Sequence, residues 1–302
     1  MSTSVAFIGL GNMGRPMAVN LVAAGHDVAG YDVFAGARDA AAAAGIGIAE
    51  SAAEAVSRAD VVITMLQNGG QVHDVYAGTE GEPGLLASAR PDTLFIDCST
   101  ISVTDAVEAH RLAVTAGHRN IDSPVSGGVV GATAGTLAMM VGGDEADFVR
   151  ARALLEVVGG RVVHCGGPGA GQAAKVCNNM ILAVSMIAVS EAFVLGESLG
   201  LTDQALFDVA SNASGQCWAL TTNCPVPGPV PASPANRDFQ AGFSSALMAK
   251  DLGLAVEALQ STGVTAELGS MAQLIYSHFA ENGGAALDFS AIITEVRARS
   301  AA

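Results

Sequence analysis

The chain has 302 residues, half of them hydrophobic (50%), which is long for one domain and comfortable for two with sizeable cores. Its formal net charge of −15 comes with no basic block or Lys/Arg stripe, which excludes a nucleic-acid footprint and leaves no attraction to an anionic membrane surface. Cys98, Cys165, Cys177, Cys217 and Cys224 are odd in number and contain no Cys-x-x-Cys pair, so neither a disulfide framework nor a zinc site is expected, and a reducing cytoplasm fits best.

The N-terminus passes from "MSTS" into "SVAFIG" with no charged region before it, so no targeting segment is expected. That first run is a strand by its apolar content, and the loop after it holds Gly9, Leu10, Gly11, Asn12, Met13 and Gly14, a G-x-G-x-x-G leading into a helical segment. The first glycine makes the tight turn, the second admits a pyrophosphate to the backbone, and the third lets helix and strand pack closely. A second strand, "DVAGYD", ends at Asp32, 18 residues past Gly14, where a carboxylate can accept from ribose hydroxyls or can simply cap the strand end. A carboxylate repels a 2′-phosphate, and Arg38 is the first arginine after it, so NAD is the expected dinucleotide.

Further strands are predicted at "DVVITML", "TLFIDC", "HRNIDS", "TLAMMVGG" and "RVVHCG", with helical stretches at 13–24, 35–44, 102–116 and 144–157 between them. This rhythm predicts a Rossmann-type doubly wound α/β domain over residues 1–167. Within it, "DSPVSGGVVGATAG" offers Ser126, Gly127 and Gly128 as a hydroxyl and close-approaching backbone N–H groups for a carboxylate, or a plain turn.

From Pro168 to the end, an all-α domain over 168–302 is predicted, entered through a long interdomain helix from about 170 to 200, with further helices at 202–213, 243–261, 265–281 and 289–299. The long helix carries Lys175, one of only two lysines in the chain, and Asn179 four residues on along the same face. A lysine with a tunable proton beside an amide suits hydroxyl/carbonyl interconversion; the other reading is an ammonium snorkelling to the surface. Lys175 and the adjoining asparagines interrupt the apolar run, which therefore reads as a buried helix and not a membrane span. Five prolines between 225 and 234 exclude helix there and mark a long loop. The second lysine, Lys250, lies in "MAKDLGLA", where with Asp251 it forms either a site element or an exposed ion pair. The six histidines show no metal-ligand spacing, so no metal is expected.

Taken together, "FIGLGNMGRPMAVNL", "DSPVSGGVVGATAGTLAMMVGG", "GAGQAAKVCNNM" and "MAKDLGLA" resemble the four motifs of the β-hydroxyacid dehydrogenase family. The resemblance covers nearly the whole chain, and "SGQCWALTTNCPVPGPVP" with "FQAGFSSALMAKDLGLA" is similar to its hydroxyisobutyrate branch, with tartronate-semialdehyde reductases as the alternative. It implies a dehydrogenase that uses NAD to interconvert a small hydroxyacid and a semialdehyde, and assembly as a homodimer or homotetramer. Lys175 would be the acid/base, its pKa lowered by partial burial and by the positive nicotinamide ring, and Asn179 would orient the substrate. Ser126, Gly127 and Gly128 would hold the carboxylate, with Trp218 and Phe243 on the substrate side. Leu66, Gln67, Thr100 and Lys250 would line the cofactor. The family usually has Leu-Pro where this chain has Leu66-Gln67, which puts the shape of that loop in doubt. A non-catalytic dinucleotide-binding scaffold has no need of Lys175, and imine reductases of this fold carry Asp or Tyr there.

Overall fold

The computed structural model describes residues 2–79 and 81–300, in two compact units, Met1–Lys175 and Val176–Ala302. The first is built on a sheet whose strands are β1 (Ser4–Ile8), β2 (Asp27–Tyr31), β3 (Gly47–Ile48), β4 (Val61–Thr64), β7 (Leu94–Asp97), β8 (Arg119–Asp122), β9 (Val125–Ser126), β10 (Leu137–Gly142) and β11 (Gly159–Gly166); β5 (Gly78–Thr79) and β6 (Glu82–Pro83) form a separate two-stranded ribbon. The order is β11-β10-β8-β7-β4-β1-β2-β3, with β9 paired to β10. From β8 to β3 every pairing is parallel, and β10 then runs antiparallel to β8.

Central strands β4 and β7 are buried at every position because helices cover both faces of a parallel sheet, and so they read as unbroken apolar runs. One face packs Phe7, Met17, Leu21, Ile63 and Leu154, and the other packs Ala6, Val62, Tyr76, Leu85 and Phe95. The chain order reverses at β1, which has β2 on one side and β4 on the other, and such a switch point opens a crevice at the carboxyl ends of the strands.

All seven predicted strands form, as do the four predicted helices of this half. Gly69–Ala77 adds a helix not expected from periodicity, and Gly128–Ala134 makes a short helix where a plain turn was one reading. In the second unit, Val189, Phe193, Leu220, Met248, Leu252, Tyr276, Phe289 and Ile292 form one core among helices. The prolines do keep 225–233 out of helix, while Pro234 opens a single 3₁₀ turn, Pro234–Arg237, in which its missing N–H costs nothing.

The helix Ala170–Ser198 is long and apolar enough to cross a membrane, but half of its most apolar window (50%) is buried within the protein. Its first turn belongs to the first unit, because the division falls between Lys175 and Val176.

Candidate active site

Gly9 sits at φ +96°, and a Cβ there would lie 2.3 Å from the Met65 carbonyl oxygen; a Cβ on Gly14 would lie 1.9 Å from the Gly9 carbonyl oxygen. A Cβ on Gly11, by contrast, would meet no protein atom within 4 Å, so the backbone at the middle glycine is open to approach. Turn, approach and packing are therefore divided among the three glycines as the motif requires. Asp32 is buried (9% exposed) at the end of β2. Its carboxylate accepts from the Leu10 N–H (2.8 Å) and from the Phe34 N–H (2.9 Å), which ties it to the glycine loop and leaves further lone pairs for ribose hydroxyls. It braces the glycine loop from the end of the neighbouring strand. Arg38 folds back, its Nη1 donating to the carbonyls of Asp32 and Val33, with the guanidinium over the Tyr31 ring.

At the ends of β4, β7 and β8 stands a buried polar network that the motifs do not reveal. Asp97 Oδ1 accepts from Thr64 Oγ1 (2.7 Å), Ser99 Oγ (2.6 Å) and the Ser99 N–H, while its Oδ2 has no hydrogen-bond partner. Burial pushes this carboxyl above the ordinary carboxylate range, against the pull of the Ser99 and Thr64 hydrogen bonds. Ser99 Oγ in turn accepts from the Leu66 N–H (2.8 Å), which fixes the start of the loop after β4. The next residue, Gln67, uses the N–H that a proline would lack: it donates to Gln71 Oε1 (3.1 Å), while Asn68 Oδ1 accepts from the Gln71 N–H. This is a shifted capping box, and it starts the helix Gly69–Ala77. Thr100 follows Ser99 directly, and Ser126, Gly127 (φ +134°) and Gly128 (φ +60°) turn from β9 into their short helix.

Asp122, at the end of β8, caps the long helix. Its Oδ1 accepts from the Gly169 N–H (2.8 Å) and its Oδ2 from the Gln172 N–H (2.9 Å). Burial pushes this carboxyl up as well, opposed by the backbone N–H groups it receives. Gln172, fully buried, donates from Nε2 to the Ser99 carbonyl (2.7 Å) and accepts at Oε1 from the Ile101 N–H (3.3 Å). One turn on, Lys175 is buried at 5% exposure, which rules out the snorkelling alternative.

In the second unit, Asn179 is buried and its Nδ2 donates to Asp251 Oδ2 (2.6 Å), joining the long helix to the one that carries Lys250. Asp251 is 4% exposed, so it does not belong to an exposed surface pair. Phe243 is placed by its own backbone: its N–H and that of Gly242 donate to Asp288 Oδ2, and Asp288 Oδ1 accepts from Asn223, the Ser290 N–H and Ser290 Oγ. Trp218 opens a short helix and is half-exposed (53%). The predicted residues thus divide between the two units, Lys175 and those before it in the first and Asn179, Trp218, Phe243 and Lys250 in the second. Asp97, Asp122, Gln172 and Asp288 come to light only through burial, although Asp122 and Gln172 lie inside quoted motifs.

A doubly wound sheet with this glycine loop at its switch point defines a dinucleotide-binding domain, the class to which NAD(P)-dependent dehydrogenases belong. Residues 4–167 match the NAD-binding domain of 6-phosphogluconate dehydrogenase, and residues 169–296 match the domain described as NAD-binding of NADP-dependent 3-hydroxyisobutyrate dehydrogenase. The chain is 60% identical to a probable 3-hydroxyisobutyrate dehydrogenase of Mycobacterium tuberculosis, over 99% of both chains. It is 46% identical to an NAD-dependent L-serine dehydrogenase of Pseudomonas aeruginosa, over 95% of this chain and 96% of that one. The solved structure of the Mycobacterium tuberculosis 3-hydroxyisobutyrate dehydrogenase with L-serine matches 98% of this chain and 100% of that one, with a TM-score of 0.94 at 60% identity. The chain belongs to the 3-hydroxyisobutyrate dehydrogenase family of hydroxyacid dehydrogenases, which is NAD(P)-dependent.

Proposed function

We propose that the protein catalyses the reversible oxidation of 3-hydroxyisobutyrate to methylmalonate semialdehyde, a step of valine breakdown, with Lys175 as general acid/base. The observation that carries this reading is the placement of a nearly buried lysine one turn into a helix whose start is tied by Asp122 and Gln172 to the carboxyl edge of the sheet. NAD supplies the acceptor for the hydride that leaves the carbinol carbon. The neutral amine of Lys175 takes the hydroxyl proton, so the oxidative rate should rise with pH until that amine is fully deprotonated. Asn179, oriented by Asp251, has a second amide N–H for the substrate oxygen or carboxylate. Ser126 and the N–H groups of Gly127 and Gly128 grip the carboxylate, with Phe243 and Trp218 on the substrate side. Leu66, Gln67, Thr100 and Lys250 contact the cofactor, and Asp32 holds the ribose and favours NAD over NADP.

Lys175→Arg keeps the charge but fixes the proton. It should lower kcat by about 10³-fold or more while NAD affinity stays within a few-fold. Normal turnover in that variant would overturn the assignment.

A second reading, oxidation of L-serine, is favoured by the name of the Pseudomonas aeruginosa relative and differs only in an ammonium where 3-hydroxyisobutyrate has a methyl group. Comparing kcat/KM on 3-hydroxyisobutyrate, L-serine, glycerate and tartronate semialdehyde, with NAD and NADP, decides between them. Equal or higher values on serine or glycerate would displace the first reading.

For assembly we propose a homodimer or homotetramer in the cytoplasm. The helix Glu267–Phe279 exposes Leu268 (70%), Met271 (55%) and Leu274 (60%) along its length, an apolar surface that suits contact with a second copy, and the free thiols suit a reducing compartment.

A further inference from the structure

We propose that Gln172 is a positioning residue for catalysis: its side-chain amide holds the loop around Thr100 in register with Lys175, and Asp122 holds the helix that carries both. The proposal rests on the reading of Lys175 as the proton acceptor.

The geometry is that of a single amide bridging two backbones. Gln172 donates to the carbonyl of Ser99 and accepts from the N–H of Ile101, so its carboxamide grips the chain on both sides of Thr100, as a neighbouring strand would. Neither bond competes with water, because Gln172 and Ser99 are fully buried and Ile101 is 1% exposed. At its other end the residue is fixed by its own N–H on Asp122 Oδ2. The helix start has no freedom to slide: a Cβ on Gly171 would lie 2.2 Å from the Met140 carbonyl oxygen, and one on Gly142 would lie 2.6 Å from the Gly171 nitrogen. Backbone therefore touches backbone where the helix leaves the sheet, and one carboxylate and one carboxamide set its height and rotation. Lys175 lies three residues beyond Gln172 on an adjoining face of the same turn. A shift of the Thr100 loop against that turn changes the distance between the groups on the nicotinamide side and the amine that takes the proton.

No simpler role accounts for both bonds. A helix start needs a cap, and Asp122 already provides it. The Gln172 side chain adds nothing to the helix; it acts on residues 99–101.

The experiment uses the full-length enzyme with NAD and 3-hydroxyisobutyrate, unlabelled or deuterated at the carbinol carbon. Gln172→Met keeps the length and loses both bonds; Gln172→Glu keeps an acceptor for Ile101 and loses the donor to Ser99. Thermal unfolding and NAD affinity are measured on each, and Lys175→Met is assayed in parallel. The expected result is a fall in kcat of about 10- to 100-fold in Gln172→Met, as misplacement by about an ångström produces, and a smaller fall in Gln172→Glu. NAD affinity should stay within about three-fold, and the deuterium isotope effect on kcat should be no lower than in the unmodified enzyme, because the slowed step is the chemical one. Should Gln172→Met fail to fold, Gln172→Glu decides by the same measures. A kcat within two-fold of the unmodified enzyme in the folded variants, or a loss that follows NAD affinity, overturns the proposal. Turnover retained by Lys175→Met overturns instead the reading of Lys175, whatever the Gln172 variants do.

Discussion

The two units place their polar groups by different means. In the first, close backbone approach shares the placing with side chains: glycines at 9, 14, 142 and 171 let main chain approach main chain more closely than any side chain permits, and Asp32, Asp97 and Asp122 brace the segments around them. In the second, the corresponding work falls to two buried carboxylates, Asp251 holding Asn179 and Asp288 holding the segment of Gly242 and Phe243. A sheet edge has fixed strand spacings and can locate a loop partly through close approach, whereas helices joined by loops rely on side chains to fix what lies between them.

The largest effect should come from breaking a backbone approach. Gly14→Ala puts a methyl group into the Gly9 carbonyl and should cost about 3 kcal/mol or more of stability, with loss of NAD binding, as measured by denaturant unfolding and cofactor titration. Next comes Asp288→Asn. Whichever way the new amide turns, its NH₂ faces backbone donors that had a carboxylate oxygen, Gly242 and Phe243 on one side or Ser290 on the other. A loss of about 2–3 kcal/mol is expected, with a raised KM for the hydroxyacid if Phe243 lines its site. A denaturation midpoint unchanged in Asp288→Asn would erase the contrast between the units.

The smallest effect tests a carboxyl in the first unit. Burial raises the Asp97 pKa, so the folded state keeps this proton while the unfolded chain loses it; the favourable contribution is complete below the ordinary carboxylate pKa and declines as pH rises above it. Asp97→Asn retains an acceptor for Thr64 and Ser99 and removes the titration. Its Tm relative to the unmodified protein should therefore improve as pH rises from about 4, the ordinary carboxylate pKa, and a difference that stays flat with pH would show that Asp97 does not titrate in this way.

Much of this molecule can be read along the chain because local rules govern it. The alternation of strands and helices, the glycine loop, Asp32 at the end of β2 and the Lys175/Asn179 pair all follow from spacing over a few residues. The helix Gly69–Ala77 escapes notice because it begins with two glycines, although Asn68 and Gln71 carry its capping signal. Gly128–Ala134 escapes for a similar reason, its glycines disguising seven residues of helix as a turn. What no local pattern conveys is burial of charge. Asp251 next to Lys250 has the sequence of a surface pair, and only the packing of its helix against the one bearing Asn179 makes it an interior acceptor. Asp122 and Asp288 are hidden likewise, since they receive backbone N–H groups of distant segments, and Asp97 because its Thr64 partner lies on the neighbouring strand.

The departure from Leu-Pro at Leu66-Gln67 has a consequence for how this loop can diverge among relatives. Because the Gln67 N–H serves Gln71, the two positions form a pair whose members gain their value from each other. Proline at 67 would leave the exposed Gln71 carbonyl to water, and a residue without that carbonyl at 71 would leave the Gln67 N–H to water. The two substitutions are therefore coupled, because either one alone gives up the bond that the pair shares.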